Sequence, residues 1–416
     1  MPQRNISLII FISLFTLCLS AQDAQWRGEN RDGHYQEQGL LKMWPEQGPE
    51  RTLTVEGIGR GFSSVIVANN TIYVTGMMGT TDHLSAIDFA GNIKWQIPYG
   101  QSWPNSYPDT RSTPTIDGDR IYLVSGTGEL VCIDAGDGGQ IWSINVDQDF
   151  EGEWGRWGVA ESPLIVDDKV ICSPGGNQTT VVAFNKHTGE LAWKTKSLSA
   201  ERSYVSPVLF EHQAHRFILA MTGEDLVAVD PETGDLSWVY KYFNPEWSER
   251  RSLILVNTPI FKEDEIFISK GYDYPSVMLK LDPAGTSVQE KWVNRTLDTH
   301  HGGFVHVEGY IYGSNWTNNR LGNWVCLDWE TGEVQYEVEW HNKGSVIFAD
   351  GMLYCYEEKS GNIALVKPNP KTFEVVSSFK VDLGSGPHWA HPTIYNGKLY
   401  VRHGDVLMVY NILQSE

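Results

Sequence analysis

The stretch that decides the fold is Ala228-Val229-Asp230-Pro231-Glu232-Thr233-Gly234-Asp235-Leu236-Ser237-Trp238. An apolar run ends in Asp, a turn carrying Gly follows, and a Trp closes the unit. The phrase recurs from Ala86-Ile87-Asp88 to Trp95, from Cys132-Ile133-Asp134 to Trp142 and from Ala183-Phe184-Asn185 to Trp193. Looser copies run from Lys280-Leu281-Asp282 to Trp292 and from Cys326-Leu327-Asp328 to Tyr336. Trp95, Trp142, Trp193, Trp238 and Trp292 are spaced by 47, 51, 45 and 54 residues. Self-similarity at this period marks a β-propeller of four-stranded blades.

Working outward, each unit opens at a Ser/Thr-Pro step: Thr113-Pro114, Ser162-Pro163, Ser206-Pro207, Thr258-Pro259 and, with His in its place, His391-Pro392. A second strand such as Ile121-Tyr122-Leu123 or Leu399-Tyr400-Val401 follows a turn, the Asp-ending run is the third strand, and the Trp lies on the fourth. First strands begin near Ser64, Thr113, Ser162, Ser206, Thr258, Gly303, Ser345 and His391, which gives eight units. The last unit ends after its third strand, Val406-Leu407-Met408-Val409-Tyr410. Arg51-Thr52-Leu53-Thr54-Val55 has no other partner and is expected to complete it. The fold class is therefore all-β: a single eight-bladed propeller of antiparallel blades, closed by an N-terminal strand that removes an open sheet edge. The repeated Trp rings are expected to pack between blades.

The organisation that follows is a signal peptide over residues 1–21, an N-terminal arm over 22–50 and the propeller over 51–416. Arg4 precedes an apolar run from Ile6 to Leu19, and Leu19-Ser20-Ala21 offers a cleavage site, so a periplasmic or secreted protein is expected. No later run is long and apolar enough to span a membrane. Of five cysteines, Cys132, Cys172, Cys326 and Cys355 remain after cleavage. They stand at repeat positions suited to small core residues, and none has zinc or haem spacing. The formal net charge of −20, from 32 basic and 52 acidic residues, argues against nucleic acid as a partner.

The phrase resembles the repeat of pyrroloquinoline-quinone-type (PQQ-like) propellers, Ala-x-Asp-x-x-x-Gly-x-x-x-Trp, which Ala228 to Trp238 match completely. The arm Trp26-Arg27-Gly28-Glu29-Asn30-Arg31-Asp32-Gly33 is similar to that of many secreted bacterial propellers. The resemblance implies the fold. It leaves function open, because the repeat serves alcohol and sugar dehydrogenases and also the non-catalytic lipoprotein of the outer-membrane assembly machine. The parts that the dehydrogenases bring are missing here: no adjacent cysteine pair, no Cys-x-x-Cys-His, and no segment like their Ca²⁺ ligand set.

Propeller sites form where loops converge on the channel. Counting ten residues back from the second-strand aliphatic at Ile121 reaches Arg111. The same step in the other blades reaches Phe62, Ala160, Tyr204, Val256, His301, Lys343 and Trp389. Flanking positions add Thr110, Ser203, His300, Asn342 and His388 on one side and Glu161 and Asn257 on the other. This set is basic and aromatic in an acidic chain. Arg111, Glu161, Tyr204, His301, Lys343, His388 and Trp389 are thus the candidate ligand-binding residues, with cations for a carboxylate or phosphate and rings for stacking. The loops Glu151–Trp157 and Glu246–Arg251 are expected to overhang the same mouth. No metal is assigned; His300, His301, His388 and His391 are the weak candidates, and His300 and His301 are expected to point to opposite sides of an extended segment.

These residues favour a binding or assembly module working through the polar mouth of the channel, as a monomer, on a protein, small-molecule or carbohydrate ligand. The alternative is a quinoprotein-like alcohol or sugar dehydrogenase using PQQ with Ca²⁺, with Arg111 and Lys343 on cofactor carboxylates and Glu161 as the nearest candidate base. A metal-dependent or glycan-active lyase is a third reading of the same mouth.

Overall fold

The computed structural model describes residues 24–153, 155–248 and 254–414. The expected leader, Trp154 and residues 249–253 of the two overhanging loops lie outside them.

Eight antiparallel four-stranded sheets follow one another along the chain. Blade one comprises Ile66–Ala68, Thr71–Met78, Thr81–Ile87 and Ile93–Gln101. Blade eight comprises Thr393–Tyr395, Lys398–His403 and Val406–Asn411, and Glu50–Val55 supplies its fourth strand. That strand pairs Glu50 with Asn411 and Val55 with Leu407. The ring therefore closes as the sequence predicts, one residue earlier than expected. An addition the sequence did not announce is His34–Tyr35, which pairs in parallel with Gly344–Ala349 and gives blade seven a fifth strand.

Side chains alternate across each strand, so every blade presents apolar residues to both neighbours. The buried residues accordingly fall into eight clusters, one at each seam. Ile66, Leu84 and Tyr99 of blade one meet Ile116, Leu123 and Val131 of blade two. The series ends with Val55, Leu407 and Val409 of blade eight against Val67, Ile72 and Val74 of blade one. Cys132, Cys172, Cys326 and Cys355 are free and buried in these seams, as their repeat positions imply.

The recurrent phrase is a seam lock. The Asp oxygen accepts N–H bonds from its own turn: Asp230 Oδ1 from Glu232 (2.8 Å) and Thr233 (2.9 Å), and Asn185 Oδ1 from His187 and Thr188. The turn then seats on the preceding blade's Trp. Trp193 Nε1 donates to Pro231 O (3.0 Å), Trp142 Nε1 to Lys186 O (3.1 Å) and Trp95 Nε1 to Gly136 O (3.2 Å). Gly234 has φ +77°, and a Cβ there would stand 2.6 Å from the Trp193 ring, so backbone and packing both require glycine. Trp238 departs from the pattern. The blade-five turn seats on His215 instead, whose Nε2 lies 3.1 Å from Pro283 O, because the hairpin His212–His215 carries that ring to the seam.

The Ser/Thr-Pro step has its own logic. Ser64 N–H donates to Thr113 Oγ1 (3.0 Å), Thr113 N–H to Ser162 Oγ (3.1 Å) and Ser162 N–H to Ser206 Oγ (2.9 Å). These bonds stitch blade to blade around the channel. The strand that follows is the innermost of its sheet, where a Pro removes no ladder hydrogen bond.

Candidate functional site

A cavity of ≈ 510 Å³ lies within the ring. Seven of the eight register positions line it: Phe62, Arg111, Ala160, Tyr204, Val256, His301 and Trp389. Two residues farther along, Thr113, Ser162, Ser206 and His391 line it as well, since a period of two returns the side chain to the same side. That deeper layer was readable from the alternation rule and was missed.

The flanking positions other than His300 stay out of the cavity lining for the same reason. Thr110 bonds Asp82, and Ser203 donates to Met221 O. Glu161 is a correction: it is buried, accepts the Ser173 N–H at 2.9 Å, and stands 3.8 Å from Arg202, which itself chelates Asp147. Burial pushes its carboxyl above the ordinary range against the pull of Arg202. It is a structural group of the wall. His388 is another correction: it stacks on His403 (3.6 Å between centroids), bonds the Tyr356 hydroxyl at 2.5 Å, and is held down to about 3 by burial and by His403. Lys343 is on the ring but not in the cavity lining. Its ammonium donates to Asn318 O (2.8 Å) and Leu321 O (3.3 Å) and pairs with Glu358 (3.1 Å).

The cavity has a floor that the sequence did not suggest. The arm crosses the channel and two buried arginines pin it. Arg31 Nη1 donates to Ser162 O (2.9 Å) and Pro207 O (3.0 Å), Nη2 to Pro163 O (2.5 Å) and Thr115 Oγ1 (3.3 Å). Arg27 donates to Phe304 O (2.8 Å), Val346 O (3.2 Å) and His391 Nδ1 (2.8 Å). Two residues of one short segment thus reach the inner strands of blades two, three and four and of blades six, seven and eight. Burial lowers both guanidinium groups, to about 9 for Arg31 and about 10 for Arg27. Because Arg27 donates to Nδ1, the His391 proton sits on Nε2 and is given to His301 O (2.8 Å). His391 is neutral, pushed down to about 3 by burial and Arg27. Trp26 packs edge-on to it and completes the floor.

Above the floor, Trp389 is the centre of an aromatic wall. Phe62, His301 and Tyr107 approach its ring at 4.9, 4.9 and 5.1 Å. Tyr204, Trp157 and Tyr272 continue it, with Arg156 beside Trp157. Arg156 and Trp157 bear out one predicted overhang; Trp247 of the other packs on Tyr274. Arg111 lines the same space. Its guanidinium donates to the carbonyls of Asp109 (3.2 Å) and Tyr107 and pairs with no carboxylate among the described residues; burial lowers it to about 10.

His300 and His301 do not diverge. The chain bends at 300–302 rather than running extended, and the two rings lie 3.5 Å apart. Glu358 joins them, with ligand-capable atoms of the three within 4.8 Å of one another. His388 and His391 are not part of this group, and His341 is exposed.

A family model described as outer membrane protein assembly factor BamB matches residues 80–337. The chain belongs to this family of PQQ-like propellers. The BamB of Alkalilimnicola ehrlichii is 26% identical over 181 residues, 42% of each chain. The match therefore spans less than half the length of that relative. Among solved structures, BamB from Moraxella catarrhalis superposes with TM-score 0.62 at 16% identity, covering 88% of this chain and 98% of its own. A europium-containing methanol dehydrogenase gives 0.65 at 14% identity, covering 90% and 88%. The quinohemoprotein alcohol dehydrogenase of Comamonas testosteroni gives 0.64 at 12%, covering 93% and 79%. At these identities the likeness is one of fold.

The resemblance of the repeat to that of the quinoprotein dehydrogenases raises the question of a Ca²⁺-bound quinone. Aromatic walls and Arg111 suit a flat polycarboxylate. Ca²⁺ requires six to eight oxygen ligands, and the described cavity lining contains no Asp or Glu. The residues present do not fit the pair. Among the described residues no helix is long and apolar enough to cross a membrane.

Proposed function

We propose that the protein works by binding, as a recognition or assembly module of the cell envelope, and that the floored cavity is its contact site. The occupant is a flat group bearing a carboxylate or similar anion, presented by a small ligand or by a partner protein. The observation that carries this reading is Arg111: a guanidinium without a carboxylate partner among the described residues, in an aromatic cup. An anion would supply charge-assisted bonds there, and the rings would supply stacking area. The expected leader and the BamB-like relatives support an envelope location, and the relatives support a protein partner.

The test is a calorimetric titration with indole-3-acetate and its uncharged amide, whose rings can stack on the Trp157 and Trp389 that line the cavity. The acid should bind more tightly, and Arg111→Gln should erase that preference, a loss of about ten- to a hundredfold for one charged hydrogen bond. Equal binding of acid and amide, or none of either, would sink the proposal. Turnover of alcohols or sugars after loading with PQQ and Ca²⁺ would replace it with the dehydrogenase reading.

A further inference from the structure

We infer that His300, His301 and Glu358 form a binding site for a divalent transition-metal ion of the Zn²⁺ type in the wall of the cavity. The site is independent of the anion binding proposed for Arg111.

Three observations converge. First, the donors are assembled: His301 Nδ1 is 3.8 Å from Glu358 Oε2, and ligand atoms of all three residues lie within 4.8 Å of each other. Two ligands about 2 Å from a tetrahedral ion stand about 3.4 Å apart, so small side-chain rotations close the set.

Second, two imidazole nitrogens of the cluster are unpartnered. Nδ1 of His300 and Nδ1 of His301 are both buried without a hydrogen-bond partner. Buried polar atoms are nearly always satisfied, and a pair of orphans side by side calls for a ligand. His300 is 7% exposed, so its ring is shielded from water and aimed into the cluster.

Third, the outer groups are those that orient metal ligands. His300 Nε2 meets the Tyr272 hydroxyl at 2.8 Å; in the tautomer in which Nε2–H donates to that oxygen, Nδ1 keeps its lone pair for a metal. Glu358 Oε1 is held by Lys343 at 3.1 Å, and Lys343 is fixed by two carbonyls, which leaves Oε2 toward His301.

Two imidazoles and a carboxylate suit Zn²⁺ and its first-row neighbours rather than Ca²⁺ or Mg²⁺. His300 and His301 line the cavity, so an ion there keeps a coordination position open to it.

The experiment is calorimetric titration of chelator-treated protein with ZnCl₂, with Co²⁺ absorption as a second readout of tetrahedral geometry. One equivalent should bind, with a rise in melting temperature. Glu358→Gln and His301→Ala should each weaken binding by more than about 100-fold, whereas His341→Gln, at an exposed histidine of a neighbouring loop, should bind like the parent. Circular dichroism of each variant separates lost binding from lost fold. No uptake by the folded parent protein, or uptake retained in folded Glu358→Gln and His301→Ala, would overturn the assignment.

Discussion

At the residue scale, placement follows from the two-residue period of extended chain. Arg111, Tyr204 and Trp389 face the channel, and so do the residues two steps on. Glu161 and His388 lie one step off and are swallowed by the wall. The bend at 300–302 is the exception that brings two histidines together, and Asp298 lies buried two residues before it. This buried carboxyl accepts N–H bonds from Asp273 (2.8 Å) and Trp316 (3.0 Å), yet burial outweighs those bonds and pushes it up to about 7. A carboxyl raised in the folded state contributes stability that is full below its unfolded value near 4 and is lost as pH rises through 7. The loss is on the order of 4 kcal/mol at 1.4 kcal/mol per unit. Melting temperature should therefore carry a decline between pH 4 and 7 that Asp298→Asn flattens, and thermal melts of both proteins across that range check it.

At the scale of the element, the Gly-bearing turn and the neighbouring Trp are one device. Gly234→Val forces a side chain into the Trp193 ring at a left-handed φ, and should cost about 2–4 kcal/mol from backbone strain and overpacking together. Trp193→Ala empties the other half of the lock and should cost about 3–5 kcal/mol. Because both act on one contact, urea denaturation of the double variant should show less than the sum of the two. The departure at Trp238 marks the limit of reading repeats: its phrase is the most complete in the sequence, yet His215 takes the ring's place at the next seam. Sequence shows that a position repeats. Which neighbour fills the seam depends on the length of the adjoining hairpin.

At the scale of the whole molecule, two short N-terminal segments do different work. Glu50–Val55 closes the ring, and residues 24–33 floor the channel. A chain beginning at Gln36 should still fold and unfold cooperatively but lose the tight binding of indole-3-acetate, since Trp26 and its arginine anchors are gone. A chain beginning at Gly57 should aggregate, because it leaves the Val406–Asn411 edge and the apolar faces of blades eight and one uncovered. Size-exclusion chromatography and denaturation of the two truncations separate these outcomes.

The repeat, the number of blades, the closing strand and the register that points Arg111 inward were all legible in the sequence. Each is a consequence of local periodicity, and periodicity is written along the chain. The arm across the channel and the meeting of His300, His301 and Glu358 were not. They join residues from different blades, over separations of up to several hundred positions. Only closure of the ring brings those positions to one axis, so only the tertiary structure could decide them.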